Sequence, residues 1–168
     1  MTTTDLHSAN ILSHAEALLE IGKLNADRGD FFIAIEKLEM ASTLFHKEKK
    51  FDQYLKSTNI LLRMYAETDN QEKVTSLKDK LQDLVLKEGL ALNARTYYTL
   101  ALFAEYRGQY ESAMEYLKKS LELGLSANNK EDICYAVYGT AGVLRKLGRY
   151  DEALKVYDKA TELKLDSS

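Results

Sequence analysis

Residues 147–160 read Leu-Gly-Arg-Tyr-Asp-Glu-Ala-Leu-Lys-Val-Tyr-Asp-Lys-Ala. Gly148 is followed by an aromatic two residues on (Tyr150) and an alanine five on (Ala153). A large apolar residue, Tyr157, comes four after that alanine, and the small Ala160 three later. The same order occurs at Gly108, Tyr110, Ala113, Leu117 and Ser120, and again at Gly29, Phe31, Ala34, Leu38 and Ala41. Gly108 and Gly148 are 40 residues apart, and Gly29 and Gly108 are 79 apart, nearly two such periods. A fixed period of this size marks a repeat array. A fourth copy is therefore expected near residue 69. There Thr68-Asp69-Asn70-Gln71-Glu72-Lys73-Val74 is followed by Leu77, Leu81 and Leu84, with Asp69 and Val74 in place of the glycine and alanine. This copy is read as degenerate.

Each unit reads as two helices. Leu12, Ala15, Leu18 and Gly22 precede the first turn, and Leu61, Leu62 and Tyr65 the second. Tyr97, Leu100, Ala101 and Ala104 precede the third, and Val137, Ala141 and Leu144 the fourth. These spacings are the stripe of an amphipathic helix. Glycine suits the turn because a left-handed residue after a helix costs least without a Cβ. Gly22, Ala101 and Ala141 on first helices, with Ala34, Ala113 and Ala153 on second helices, allow the two backbones to approach closely. The pattern predicts an all-α chain of eight helices, near 5–28, 31–47, 51–68, 70–88, 91–107, 110–125, 130–147 and 150–164. Short connections predict that consecutive helices pack antiparallel. No linker or low-complexity stretch interrupts the chain, so residues 1–168 are read as one domain.

Composition agrees. The 168 residues include no proline and no tryptophan, eight glycines and one cysteine. A proline-free chain of this length argues against the many turns of a sandwich or barrel. A single cysteine excludes an internal disulfide framework and a Cys-rich zinc site. With 45% hydrophobic and 29% charged residues the chain is not of the disordered class. The net charge of -3 shows no basic excess for nucleic acid, and the densest basic cluster, Lys47, Lys49 and Lys50, falls at a helix junction and reads as a solvated loop. Met1 to His7 lack a basic segment followed by an apolar run, so no signal peptide is expected, and no stretch has the ~20 apolar residues of a membrane span. A cytoplasmic location is the expectation.

Nothing in the sequence singles out catalysis, a metal site or a cofactor. His7, His14 and His46 are the histidines, and His7 and His14 are two turns apart, too far for the usual i, i+4 metal pair. Cys134 has no histidine nearby in sequence and reads as a small buried hydrophobe. Gly139-Thr140-Ala141-Gly142 lacks the preceding strand that a phosphate loop needs. Its glycines are better read as permitting close helix packing or leaving room at Gly142.

The pattern resembles the tetratricopeptide repeat (TPR), a helix pair with a small residue in the first helix, Gly at the turn, then Ala-x3-aromatic-x2-Ala in the second. The match is best over 134–167, good over 94–127 and 15–48, and poor over 55–88. The proline that usually closes the motif is replaced by His46, Leu125 and Leu165, and the period is near 40 rather than 34. Both features resemble the extended repeats of kinesin light chains and Rap-type regulators. Without proline the second helix can run about a turn further, which predicts longer helices and a deeper groove. The resemblance implies a right-handed α-solenoid of about four helix pairs, whose first helices line a concave face suited to a peptide or partner helix.

Carried onto this chain, the family's groove positions point to Lys23, Lys56, Asn59, Arg63, Arg95, Tyr98, Tyr106, Tyr135, Tyr138 and Arg145. Lys23, Lys56, Arg63 and Arg95 would form a basic track, and the four tyrosines an aromatic patch near it. Arginine can grip a carboxylate bidentately, and tyrosine offers contact area with a hydrogen-bonding tip. The expected ligand is an acidic peptide with an apolar or aromatic anchor. The alternative is that the tyrosines pack between repeats and the basic residues form a solvated face. Chaperone-binding members use a lysine and an asparagine one turn apart in the first repeat; Leu19 and Lys23 stand at those positions, which argues against that carboxylate clamp. The implied function is a non-enzymatic interaction scaffold, or else a sensory domain of a larger signalling or transcription-regulating protein.

Solenoids usually end in a capping helix with a polar outer face. No ninth helix is expected here, so Leu154, Tyr157 and Leu163 would be partly exposed. Excision from a longer protein, a homodimer through the uncapped C-terminal helix, and simple tolerance are three explanations.

Overall fold

The computed structural model describes residues 2–165, the side chains of Ala160 and of residues 163–165 excepted. The expectations placed on Ala160 and Leu163 therefore lie outside the described residues. The described chain forms eight α-helices: α1 (Thr3–Arg28), α2 (Phe31–Lys47), α3 (Phe51–Glu67), α4 (Gln71–Glu88), α5 (Ala94–Tyr106), α6 (Tyr110–Ser126), α7 (Lys130–Lys146) and α8 (Tyr150–Leu165). No described residue is in a strand. His46 and Leu125, which replace the closing proline, lie inside α2 and α6, so both helices continue past the place where that residue would disfavour helix.

Six helix-to-helix turns share one backbone design. A left-handed residue donates its N–H to the carbonyl three residues back, and the next residue donates to the carbonyl five back, which satisfies the last carbonyls of the helix. Gly29, Gly108 and Gly148 hold this position with φ of +82°, +75° and +77°. Lys49, Asp69 and Asn128 hold it with φ of +55°, +55° and +49°. The degenerate copy thus keeps its turn although the glycine is gone.

One connection departs from the design. After Gly89, Leu90 donates to the Leu84 carbonyl, and no helix resumes until Ala94, three residues later than the period predicts. The Asn93 side chain accepts from the Thr96 N–H at 2.9 Å and so sets the start of α5. At this break the chain divides into two compact units, residues 1–91 and 92–168. In the first, α2 packs on α1 and α3, α3 on α4, and α1 also meets α3. In the second, α6 packs on α5 and α7, α7 on α8, and α5 also meets α7. First helices are therefore neighbours within each unit.

The small residues of the motif sit where the helices come closest. Ala34, Ala101, Ala113, Ala141 and Ala153 are buried, as is Gly22. A Cβ on Gly22 would lie 2.6 Å from Cγ of Leu38. One on Gly139 would lie 2.6 Å from Cδ2 of Leu117 and 3.2 Å from the Tyr98 ring. Leu38 and Leu117, the large apolar residues of the motif, thus fill notches cut by glycine in the facing first helix. Ser120 donates to the Ala94 carbonyl at 2.8 Å, tying α6 to the start of α5.

In the degenerate pair, a polar contact supplements the packing. The Glu39 carboxylate on α2 accepts from the Tyr65 hydroxyl of α3 and from the Lys73 ammonium of α4, both at 2.6 Å. Burial pushes this carboxyl up, but the bonds from Lys73 and Tyr65 outweigh it and leave the group below its usual range. Burial, with the same hydrogen bond, raises the Tyr65 phenol.

Tyr54 is buried at the α2–α3 contact, 5.6 Å from the His46 ring, and its hydroxyl has no hydrogen-bond partner among the described residues. Burial pushes its phenol up to about 12. Because an unpartnered buried hydroxyl is a desolvation cost without return, Tyr54→Phe should stabilise the protein by about 1 kcal/mol. A urea unfolding curve, with the midpoint moved to higher urea, checks this.

Candidate functional site

The sequence places its candidate residues on first helices, and the structure divides them between the two units. On α3, Lys56, Asn59 and Arg63 stand at i, i+3 and i+7 and share one stripe. Lys56 and Arg63 are exposed and make no ion pair with a described residue. Asn59 is half-buried, with its side-chain oxygen enclosed and unpartnered. On α1, Lys23 is exposed and lies 3.8 Å from Glu20, a surface pair of little energetic consequence. Leu19 and Ala26, at neighbouring groove positions, are buried and so serve packing.

The second unit carries a more closely knit arrangement. The rings of Tyr98 on α5 and Tyr135 on α7 lie 5.2 Å apart. The Arg95 guanidinium lies 4.3 Å from the centroid of the Tyr135 ring. It also reaches Glu131 at 3.3 Å and Asp132 at 3.5 Å, while its Nε is buried and unpartnered. Arg95 therefore lies over an aromatic face with its charge largely answered from within the unit. Burial pushes the Tyr98 phenol up, with Tyr135 and Glu105 adding to the effect against Arg95. One turn along, Lys146 pairs with Glu105 at 3.3 Å across α5 and α7. Gly142 faces the same strip: a Cβ there would meet only the Glu105 carboxylate, at 3.5 Å. Tyr98, Tyr135, Glu105 and Gly142 thus make a shelf with an aromatic end and a charged end.

The other candidates go elsewhere. The Tyr138 ring packs 5.9 Å from Tyr157 on α8 and against the cluster of Ile133 and Val137, which is packing between consecutive helices. Tyr106, 75% exposed, ends α5, and Arg145 is exposed near the end of α7. The acidic pair Glu131–Asp132 was not among the selected residues. The signal for them was the charge opposite Arg95 one repeat later, at 131–132.

Among the described residues no group of three or more His, Cys, Asp or Glu side chains is placed to hold a metal ion. No helix among them is long and apolar enough to cross a membrane.

Residues 92–166 match the tetratricopeptide repeat family. No curated protein matches the chain by sequence. Among solved structures, the fold is similar to a Rap protein complexed with Competence and Sporulation Factor, with a TM-score of 0.77 at 18% identity over 90% of this chain. The chain spans 43% of the length of that Rap protein. It is also similar to the nearly identical TPR-like repeats of a kinesin light chain of Podospora anserina, with a TM-score of 0.65 at 16% identity, covering 91% of this chain and 76% of that one. At these identities the likeness establishes an all-helical fold of TPR-like helix pairs.

Proposed function

Taking the chain as the TPR-like repeat protein that these likenesses make it, we propose that it is an interaction module whose first-helix faces dock a protein or peptide partner. The observation that carries the reading is the Tyr98–Tyr135 shelf, with Arg95 stacked on it and Gly142 leaving space beside it. Exposed tyrosine edges on a rigid helical base offer contact area at low entropic cost and are enriched in binding sites. Of the three buried polar side-chain atoms without partners among the described residues, two belong to candidate residues, Asn59 and Arg95. Such groups gain most from a ligand that completes their hydrogen bonds. Among the described residues Lys56 and Arg63 make no ion pair whereas Arg95 does, so within the first unit the α3 stripe is assigned to acidic groups of a partner, and within the second the Tyr98–Tyr135 shelf is assigned to an apolar or aromatic side chain.

The Rap neighbour is complexed with a factor, which supports a bound partner as the natural use of this fold. That the chain spans less than half of the Rap protein's length favours, as a second reading, a sensory or regulatory domain within a larger signalling or transcription-regulating protein. In neither reading does the chain carry out catalysis itself.

Capture of partners by wild-type protein and by Lys56→Glu/Arg63→Glu, compared by quantitative mass spectrometry, tests the assignment. The double variant should lose at least tenfold of the captured native partner while its melting temperature stays within about 2 °C, since both side chains are exposed. Undiminished capture would remove the α3 stripe from the binding surface.

A further inference from the structure

Of the eight glycines, all but one have a structural reason. Gly29, Gly89, Gly108 and Gly148 are left-handed. Gly22, Gly124 and Gly139 face a neighbouring helix so closely that a Cβ would come within 2.6 Å of Leu38, 3.2 Å of Ile133 and 2.6 Å of Leu117. Gly142 has neither reason. It lies inside α7, and among the described residues a Cβ there would meet only the Glu105 carboxylate, at 3.5 Å, an ordinary contact. Glycine in mid-helix is less stable than alanine would be in the same place, so packing alone does not favour it.

The repeat register shows what is missing at this place. Position 142 corresponds to Leu102 on α5, and to Arg63 and Lys23 on α3 and α1. All three carry long, exposed side chains, and α7 alone is bare here. The gap has defined borders within the second unit. Tyr135 stands two turns earlier on the same stripe of α7. On α5, Leu102 stands between Tyr98 and Glu105 on one stripe and is 42% exposed. The Glu105 side chain is 15% exposed and pairs with Lys146, itself 41% exposed, at 3.3 Å. The gap is thus one side chain deep, with an apolar border and a carboxylate at its edge.

We propose that the gap at Gly142 receives a lysine side chain of the docked partner, its stem along Leu102 and its ammonium donating to the Glu105 carboxylate. The inference rests on the reading that first-helix faces of the second unit dock a partner, and it names one side chain that this partner presents. Glu105 decides the charge. An acidic side chain would be repelled, and a purely apolar one would cover an acceptor without returning a hydrogen bond. A carboxylate has lone pairs for more than one donor, so the incoming ammonium joins Lys146 or takes its place. Lysine also suits the apolar border, because its stem covers such surface while its head stays with the charge.

The test is an NMR titration of the labelled chain with two probes, a blocked alanine peptide with one central lysine and its counterpart with norleucine there. The lysine peptide should shift the Gly142 amide and the Leu102 methyl signals. It should bind about tenfold more tightly than the norleucine peptide, the ratio that a charge-assisted hydrogen bond supplies. Gly142→Leu should remove this binding, Glu105→Gln should bring the two peptides to equal affinity, and Lys146→Met should tighten the lysine peptide. Gly142→Ala should melt no lower than wild type; a lower melting temperature would give the glycine a packing reason and overturn the proposal. If Gly142→Leu melts early, the variants at Glu105 and Lys146 carry the test. A lysine peptide that shifts none of these signals at millimolar concentration, or that binds no better than norleucine, would overturn the lysine subsite. Shifts at Tyr98 and Tyr135 without one at Gly142 would overturn it too, while leaving docking on the shelf intact. A captured partner that binds without shifting Tyr98, Tyr135 or Gly142 would remove docking on this face and the subsite with it.

Discussion

Gly22→Val should destabilise the protein by about 3 kcal/mol, at the upper end of what overpacking a core position costs. The first side-chain carbon alone would stand 2.6 Å from Cγ and 2.8 Å from Cδ2 of Leu38. Leu38 is fully buried, so it has no solvent side into which to retreat. Removing a mid-helix glycine returns only about 0.5–1 kcal/mol of backbone entropy, too little to offset the clash. The double variant Gly22→Val/Leu38→Ala separates the two effects. If the notch and the leucine are one packing unit, the added volume fills the space left by Leu38, and the double variant should be more stable than the sum of the single losses predicts. Urea unfolding of the four proteins measures this. Simple additivity would mean that Gly22 is not there to receive Leu38.

Leu117→Ala should cost about 3 kcal/mol, from lost burial and an unfilled cavity together. Leu117 is buried in the cluster of Ala101, Ala104, Ala113 and Val143, and it fills the notch at Gly139, beside which the Tyr98 ring also lies. The substitution therefore has a functional consequence besides the stability loss. With Leu117 gone, the Tyr98 ring loses support beneath the shelf it forms with Tyr135. A urea curve for the variant checks the first effect, and tyrosine-ring NMR signals of Tyr98 and Tyr135 check the second. A large shift of the urea midpoint with unchanged ring signals would show that the shelf does not depend on this contact.

The repeats were legible because their decisive positions are set by backbone contact. Where two helices nearly touch, only glycine, alanine or serine fits, and a leucine must face them. Gly22, Ala34 and Leu38, or Ala101, Ala113 and Leu117, carry that constraint in residue type alone. The turns were less legible. Gly29, Gly108 and Gly148 announce a left-handed residue, whereas Lys49, Asp69 and Asn128 adopt the same conformation without the glycine that would announce it. A left-handed lysine is held by the two backbone bonds that follow, from Lys49 and Lys50 to His46 and Phe45, and these are a property of the folded hairpin. The start of α5 was missed for a related reason. The pattern placed its start near 91, but the Asn93 side chain accepts from the Thr96 N–H and the helix begins at Ala94, three residues later.

For the candidate site, helical spacing put the tyrosines on first helices but did not assign their partners. Tyr135 and Tyr138 are neighbours in the same turn, yet one meets Tyr98 of α5 and the other Tyr157 of α8. Rotation of the helix by three residues decides between the strip facing the previous first helix and the seam with the next second helix. Charge was the least legible feature. Arg95 looks like a free cation in the sequence, and its neutralisation by Glu131 and Asp132 depends on residues a repeat away.

If a partner docks on first-helix faces, the residues of those faces should respond to it. The most direct measurement is an amide and side-chain NMR titration of the labelled 19.1 kDa chain with its captured partner. Signals of first-helix residues, Lys56, Asn59 and Arg63 on α3 of the first unit or Arg95, Tyr98 and Tyr135 on α5 and α7 of the second, should shift first and most. Perturbations confined to the outer faces of second helices, for example at Glu36, Lys118 and Lys155, would place the partner off the first-helix faces.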